Sequence, residues 1–187
     1  IYLIARPVTQ LYSTPEKSPI TSWAYSILGQ IYVVLPLALL GVWGYKSDYQ
    51  LFMNTEYLLM ALFVFVWTND TGAYIVGCTL GKHRLFERIS PKKSWEGFFG
   101  GLAFCIILAS LANYIIPGML STAQWIGMGI LISIFSTWGD LCESLLKRTA
   151  GVKDSGKILP GHGGILDRFD SELIASPVIF IYLTFVL

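Results

Sequence analysis

Long apolar stretches alternate with short polar segments along most of this chain. Crossing the hydrocarbon core of a membrane takes about 20 mostly apolar residues in a helix. Five stretches reach or approach that length, at 22–44, 57–81, 97–117, 122–146 and 171–187. The third is the purest, whereas the second and fourth carry amide and carboxylate side chains. The pattern predicts an all-α fold, a polytopic membrane bundle of about five transmembrane helices.

The composition agrees with a membrane protein. Of 187 residues, 54% are hydrophobic and 13% are charged, whereas a soluble domain has about 25% charged residues. Cys78, Cys105 and Cys142 lie far apart within apolar stretches. They have neither disulfide nor metal-ligand spacing, so we expect small buried apolar side chains. The chain opens on neither Met nor a signal-peptide pattern. We therefore expect residues 1–187 to form one transmembrane domain, the C-terminal part of a longer chain.

Positive charges indicate the orientation of the spans. Short basic loops remain on the cytoplasmic side. Two loops separated by two predicted spans hold ten of the thirteen Lys and Arg residues: Lys82, Arg84, Arg88, Lys92, Lys93, and Lys147, Arg148, Lys153, Lys157, Arg168. Both loops are therefore predicted to be cytoplasmic, with the N-terminal arm 1–21 inside and the loop 45–56 outside.

Two further patterns concern packing within the membrane. Tryptophans at or near predicted span ends are typical of residues at the membrane interface, and they are Trp67, Trp95 and Trp125. Small residues at four-residue spacing let two helices approach closely. We expect such contacts at the pairs Gly77/Gly81 and Gly97/Gly101.

The second span contains the first group of polar residues that need an explanation. Its segment "WTNDTGAY" (67–74) places Asn69 and Asp70 between Thr68 and Thr71. A carboxylate near membrane depth costs several kcal/mol unless it is paired, binds metal or faces water. One interpretation is a cluster of oxygen ligands. The alternative is a clamp between helices, with Asp70 satisfied by a basic partner.

The fourth span contains the second group. In "STWGDLCESLLKR" (136–148), Asp140, Glu143 and Lys147 share one helical face. Glu143 and Lys147 have the favourable i,i+4 order, so we interpret them as an intrahelical ion pair. Asp140 lies one turn deeper, where solvation is poorer, and we interpret it as functional.

The third group precedes the last apolar run, in "KDSGKILPGHGGILDRFDS" (153–171). Glycines let a backbone approach a phosphate closely and present N–H groups to it. Asp167 and Asp170 are three apart, so both point one way if a helix begins at 166–171. The alternative is a solvated loop in which the two aspartates only cap the last helix.

Together these groups predict a site of mixed charge at the cytoplasmic membrane face. Carboxylates hold Mg²⁺, the metal bridges phosphate oxygens, and basic side chains neutralise the remaining charge. This combination is typical of phosphoryl or nucleotidyl transfer. No P-loop and no Ser/His/Asp or Cys/His arrangement is present in the sequence.

The run "SLLKRTAGVKDSGKILPGHGGILDRFDS" (144–171) closely resembles the signature of the phosphatidate cytidylyltransferase family, the CDP-diacylglycerol synthases. "NDTGAY" (69–74) and "PKKSWEG" (91–97) are also similar to this family. Eleven fixed positions of the signature are met: Ser144, Lys147, Arg148, Lys153, Asp154, His162, Gly163, Gly164, Asp167, Arg168 and Asp170.

The resemblance implies transfer of CMP from CTP to phosphatidic acid, with release of pyrophosphate, for phospholipid biosynthesis. It implies a two-cation centre containing Mg²⁺, with Asp140 and Asp167 as metal ligands. Lys147, Arg148 and Asp170 complete the expected catalytic set. The expected substrate-binding residues are Asn69, Asp70, Lys92, Lys93, Ser144, Lys153, Asp154, His162, Gly163, Gly164 and Arg168.

The resemblance also sets the expected partners and location. We expect the lipid bilayer as surroundings, no nucleic-acid partner, a possible homodimer, and a bacterial inner membrane with the active site facing the cytoplasm. Two other functions remain open. A CTP-dependent polyprenol kinase would release CDP, and an ion transporter would carry polar residues across the whole bilayer depth.

Overall fold

The computed structural model describes residues 2–12, 18–44, 55–156 and 163–187. Within these ranges lie seven α-helices: α1 (Tyr2–Leu11), α2 (Pro19–Gly29), α3 (Leu35–Gly44), α4 (Thr55–Leu80), α5 (Trp95–Ile115), α6 (Thr122–Thr149) and α7 (Leu166–Val186). Five helical segments in the described part are long and apolar enough to cross a membrane. This confirms the predicted polytopic helical bundle. His162, Lys157, Lys46 and most of the predicted outer loop lie outside the described residues.

The first membrane-crossing segment, Pro19–Val42, combines α2 and α3. A single π-helical stretch, Gln30–Val34, joins the two helices. Pro36 lies two residues after this stretch. A proline ring removes one backbone N–H and collides with the carbonyl four residues earlier. Widening the preceding turn to π geometry accommodates that collision. None of the residues of α2 is buried, so this segment lies at the edge of the bundle, where α3 packs on α7.

The helix ends differ from the predicted ends by a few residues, for local reasons. Helix α5 begins at Trp95 because the Ser94 hydroxyl accepts a hydrogen bond from the Gly97 N–H at 3.1 Å. Helix α6 extends to Thr149, and Gly151 then takes a φ of 70°, the left-handed conformation common after helices. Helix α7 begins at Leu166. The early start places Asp167 and Asp170 in its first two turns.

A short antiparallel hairpin lies between α4 and α5, and the hydropathy pattern did not predict it. Its strands are β1 (Arg84–Phe86) and β2 (Ser90–Ser94). The two strands lie in the first basic loop, and β2 carries Lys92 and Lys93. The fold is therefore helical except for this hairpin within the described residues.

The core lies among α4, α5, α6 and α7. Its buried side chains include Leu62, Phe65, Cys105, Ala109, Trp125, Met128, Ile132, Ala175, Ile179 and Leu183. Trp125 is fully buried, with its ring stacked near Phe65 at a centroid distance of 6.3 Å. Trp125 lies in the first turn of α6, near the predicted span end, but its ring is buried in the bundle. Trp95, at the start of α5, is 47% exposed. Trp67 is 64% exposed but lies in the middle of α4 rather than near a span end.

Glycines bring α4 and α5 into close contact, as the small-residue spacing predicted. A Cβ at Gly97 would lie 2.9 Å from the Ala73 carbonyl oxygen and 3.3 Å from the Gly77 Cα. A Cβ at Gly101 would lie 2.8 Å from the Asn69 carbonyl oxygen. These distances leave no room for a side chain, so the two backbones meet directly.

The prediction for the cysteines is correct at one position only. Cys105 is buried, whereas Cys78 and Cys142 are exposed on the surface of the bundle. The latter two lie on helical faces that point away from the core. A thiol is apolar enough to be accommodated there.

Candidate active site

Two neighbouring cavities share Asp70 of α4 and Asp140 of α6. The first, of about 260 Å³, lies between α4, α5, α6 and the hairpin. It is lined by Asn69, Asp70, Ala73, Tyr74, Gly77, Leu85, Lys92, Lys93, Ser94, Gly97, Phe98, Thr137 and Asp140. We call it the hairpin cavity. It brings the polar residues of α4 and of α6 together with Lys92 and Lys93 of the first basic loop.

The second cavity, of about 330 Å³, reaches the start of α7. Its walls are Val66, Trp67, Asp70, Asp140, Asp167, Arg168, Asp170, Ser171 and Glu172. We call it the acidic cavity, since it contains five carboxylates and one guanidinium group. Glu172 is only 3% exposed and was missed by the sequence reasoning. The signal for it was present, because a carboxylate one turn into an apolar span needs an explanation.

An ion pair connects the hairpin with α6 at the boundary between the cavities. The Lys93 ammonium lies 2.5 Å from Asp140 Oδ2 and donates to the Thr137 carbonyl oxygen at 3.5 Å. Ser144 donates to Asp140 Oδ1 at 3.3 Å. Three predicted site residues from two separate sequence segments therefore meet, and Lys93 neutralises the carboxylate deepest in α6.

Asp167 holds the loop before α7 in place. Its Oδ1 accepts from Lys147 Nζ at 2.9 Å, and its carboxylate also accepts from the backbone N–H groups of Ser155 and Gly164, the latter at 2.7 Å. Gly163 has a φ of 81°, and a Cβ there would lie 2.5 Å from Asp167 Oδ2. The Gly164 N–H that we expected to face a phosphate is thus bonded to Asp167 instead.

Lys147 joins two acidic residues. It pairs with Glu143 one turn earlier on α6, which confirms the predicted intrahelical ion pair, and with Asp167 on α7. The Glu143 side chain is completely buried, and the Lys147 and Asp167 side chains are 18% and 8% exposed. The triad therefore fixes the end of α6 to the start of α7. Its net charge is −1 when all three groups are ionised.

Asn69 forms a clamp between helices, as one of the two interpretations of its segment expected, but the basic partner expected for Asp70 is not found among the ion pairs of the described residues. Its Oδ1 accepts from Ser133 at 2.7 Å, and its Nδ2 donates to Ser136 at 3.2 Å and to Thr137 at 3.4 Å. The side chain is buried and joins α4 to α6. Its neighbour Asp70 faces both cavities, so the clamp fixes the position of that carboxylate.

Thr68 and Thr71 do not join this cluster, contrary to the first interpretation. Each hydroxyl donates to the carbonyl oxygen four residues earlier, Val64 for Thr68 and Trp67 for Thr71, both at 2.7 Å. The two side chains lie on another face of α4, along a groove with Phe104. Their hydroxyls are therefore used within α4 rather than offered to the cluster.

Glu96, at the start of α5, fixes the base of the hairpin. Its carboxylate accepts from the backbone N–H groups of Lys82 and His83 at 3.2 Å, and its Oε1 lies 2.6 Å from His83 Nδ1. The Trp95 N–H in turn donates to the His83 carbonyl oxygen at 2.9 Å. This contact was not foreseen. It fixes the position of β2, which carries Lys92 and Lys93, relative to α5.

The remaining predicted residues divide between the surface and the acidic cavity. Arg148, Lys153 and Asp154 are exposed and line neither cavity. Arg168 is exposed at the rim of the acidic cavity, and Asp170 accepts the Ser171 N–H at 2.6 Å. His162 lies outside the described residues.

The carboxylates have the chemistry that a divalent cation requires, but each predicted ligand has a lysine partner. Asp140 pairs with Lys93, and Asp167 pairs with Lys147. In the described part of the chain, no group of three or more His, Cys, Asp or Glu residues is placed to hold a metal. Oxygen donors of this kind still suit Mg²⁺, which is usually held by one or two carboxylates together with substrate phosphates.

Comparison with known proteins agrees with this chemistry. The chain matches the model of the Cytidylyltransferase family over residues 1–186. It is 41% identical over 160 residues to the phosphatidate cytidylyltransferase of Staphylococcus aureus (strain COL), covering 85% of this chain and 61% of that protein. The same coverage holds for the Staphylococcus haemolyticus (strain JCSC1435) protein of that name at 41% identity over 159 residues. The chain thus spans about three fifths of the length of these curated relatives.

Proposed function

Since the chain belongs to the Cytidylyltransferase family, we propose that the protein transfers CMP from CTP to phosphatidic acid and releases pyrophosphate. The observation that carries this proposal is the pair of cavities that share Asp70 and Asp140. One cavity is lined by two lysines and the other by carboxylates and Arg168. A site with both signs of charge suits two phosphorylated substrates. The relatives named above bear the corresponding name.

The hairpin cavity is the proposed nucleotide site. Lys92 and Lys93 line it from β2, and ammonium groups bind phosphate oxygens as compact charges. Asn69 and Ser94 supply rigid polar walls, because each is buried and hydrogen-bonded to a helix. Arg148 lies at the end of α6 and Lys153 just after it, and both are exposed. There they would attract anions approaching from the cytoplasm.

The acidic cavity is the proposed place of the lipid phosphate. Arg168 at its rim offers a fork of donors to that phosphate. A phosphatidate oxygen attacks the α-phosphorus of CTP, the new P–O bond forms, and the bond to the β-phosphate oxygen breaks. Its electron pair leaves with pyrophosphate. A phosphate oxygen is already ionised near neutral pH, so the attack needs no general base.

Mg²⁺ is the proposed cofactor, with Asp140 and Asp167 as ligands and Asp70 and Asp170 as neighbouring carboxylates. When bound, it supplies charge neutralisation on the phosphates that react and leave. Lys93 and Lys147 hold the two aspartates in place, and Lys93, which lines the hairpin cavity, is placed to contact phosphate oxygens. Removal of divalent cations with EDTA should abolish turnover, and added Mg²⁺ should restore it.

The protein spans a membrane, and we propose that it lies in a bacterial inner membrane with both cavities facing the cytoplasm. The two basic loops support that orientation. A homodimer is proposed from the family resemblance alone, because the small-residue pairs of α4 and α5 already pack against each other within the chain. Chemical cross-linking in membranes tests that state.

Product analysis on the full-length protein tests the proposed activity. Detergent-solubilised enzyme is given radiolabelled CTP, phosphatidic acid and Mg²⁺. Label should enter the lipid phase with an equal amount of pyrophosphate. The Asp167→Asn variant should remain folded and lose turnover, whereas Lys46→Ala, in the predicted outer loop, should be close to neutral. Normal turnover of Asp167→Asn would contradict the metal assignment. Release of CDP would indicate a kinase, and no consumption of CTP would favour a transporter.

A further inference from the structure

A stripe on α4 lies beside the face that lines the acidic cavity, and Trp67 belongs to both. Val64, Trp67, Thr68 and Thr71 are spaced at i, i+3, i+4 and i+7, so they lie along one side of the helix. Together with Phe104 of α5 they line a groove of about 340 Å³. Three of these five side chains are apolar and two are threonines, and Val64 and Trp67 are exposed.

The two threonine hydroxyls of this groove already have hydrogen-bond partners. Both threonine hydroxyls donate to carbonyl oxygens of α4 itself, so the groove offers no free hydrogen-bond donor from these residues. Phe104 is pressed against Gly72, where a Cβ would lie 2.8 Å from the ring. The groove is therefore a fixed apolar recess between α4 and α5, and it suits a hydrocarbon chain rather than a polar ligand.

Trp67 connects the recess with the proposed active site. Its side chain lines the groove and also the acidic cavity that contains Asp140, Asp167 and Arg168. Charged groups, an aromatic ring and an apolar recess thus follow one another around α4. A phospholipid has the same order, with its phosphate, its glycerol esters and its acyl chains. Indole rings are favoured at such boundaries because they combine an apolar body with a polar N–H group.

The geometry points to an acyl-chain subsite: the groove formed by Val64, Trp67, Thr68, Thr71 and Phe104 holds one acyl chain of the phosphatidate whose phosphate lies in the acidic cavity. This inference rests on the proposed function. The groove lies between the middle of α4 and α5, so a chain held there runs from the polar site toward the centre of the bilayer. Trp67 separates the water-accessible site from the lipid.

Filling the groove tests the subsite. Thr68→Trp places a bulky ring in the recess, and Ile107→Trp is the matched control on an exposed face of α5 outside it. Full-length enzyme is assayed with dioctanoyl and dioleoyl phosphatidate in the same mixed micelles. We expect Thr68→Trp to lower the ratio of kcat/KM for the long substrate to that for the short one about tenfold, as when about two methylene groups lose apolar contact. Ile107→Trp should leave the ratio unchanged.

The outcomes separate this inference from the proposed function. A wild-type enzyme that converts neither lipid would refute the proposed function itself. With an active wild type, an unchanged ratio in Thr68→Trp, or an equal change in Ile107→Trp, would overturn the subsite.

A second measurement covers a Thr68→Trp protein that fails to fold. Wild-type enzyme is irradiated with a phosphatidate that carries a diazirine in one acyl chain, and the labelled peptides are identified. Label on α4 residues 64–71 or on Phe104, competed by unlabelled dioleoyl phosphatidate, is the expected result. Label elsewhere on the bundle, or label that does not compete, would overturn the subsite.

Discussion

Replacement of Lys147 tests the buried triad that fixes α6 to α7. Lys147 pairs with Glu143, which has no exposure to solvent, and with Asp167, which is 8% exposed. In Lys147→Met the aliphatic stem remains and the ammonium group is lost. Asp167 keeps its two backbone N–H donors, but Glu143 is left buried without its cation. Removing one partner of a buried ion pair costs about 3–5 kcal/mol.

This loss converts into a measurable change in thermal stability. For a chain of this size, 1 kcal/mol corresponds to about 2–4 °C in Tm. The apparent Tm of Lys147→Met in mild detergent should therefore fall by roughly 6–20 °C. The decisive control is the double variant Glu143→Gln/Lys147→Met, which leaves no buried charge at position 143. We expect it to recover at least half of the lost Tm.

Activity should separate from stability in the same variants. Because Lys147 lies beside the proposed metal ligand Asp167, turnover should stay low in the double variant even where Tm recovers. A Lys147→Met protein with the Tm of the wild type would refute the reasoning, since Glu143 would then need no cation. A double variant no more stable than Lys147→Met would show that Asp167, rather than Glu143, is the residue stabilised by Lys147.

Two other contacts give predictions of the same kind. Asn69→Ala removes a buried amide with three hydrogen-bonding partners on α6. A loss of about 1–3 kcal/mol should lower the Tm in detergent by about 2–12 °C, and kcat should fall as Asp70 shifts. Gly101→Ala should produce the same effects from the other side of the clamp, and a wild-type Tm in both variants would contradict this account. Glu96→Ala releases the base of the hairpin. The KM for CTP should then rise about tenfold with a smaller change in kcat, because the lysines of β2 are no longer positioned. Glu96→Gln keeps one hydrogen-bond acceptor, so its KM should be intermediate. Equal losses in KM and kcat for both Glu96 variants would indicate a general loss of folded enzyme instead.

Particular elements show how far local sequence pattern reaches. The five apolar segments predicted the helical bundle because hydrocarbon imposes a length and a composition on any helix that crosses it. The spacing of Glu143 and Lys147 predicted their ion pair, because positions four apart are neighbours on one helix. Trp125 shows the limit. Its position near a predicted span end suggested the interface, whereas only the packing of α4 against α6 shows that its face is the buried one.

The sequence by itself thus determined which residue types are present and which lie on a common helix: the membrane spans, the acidic and basic groups, and the family signature. Tertiary structure alone decided which of these charges meet. Lys93 and Asp140 are 47 positions apart, and Lys147 and Asp167 are 20 apart; neither pairing follows from periodicity. Glu172 enters the acidic cavity, and Trp67 borders both this cavity and the apolar groove, only because α4 and α7 pack as they do. The spacing of residues along a helix decides which side chains share a face. Close packing between helices decides which face of the neighbouring helix they contact.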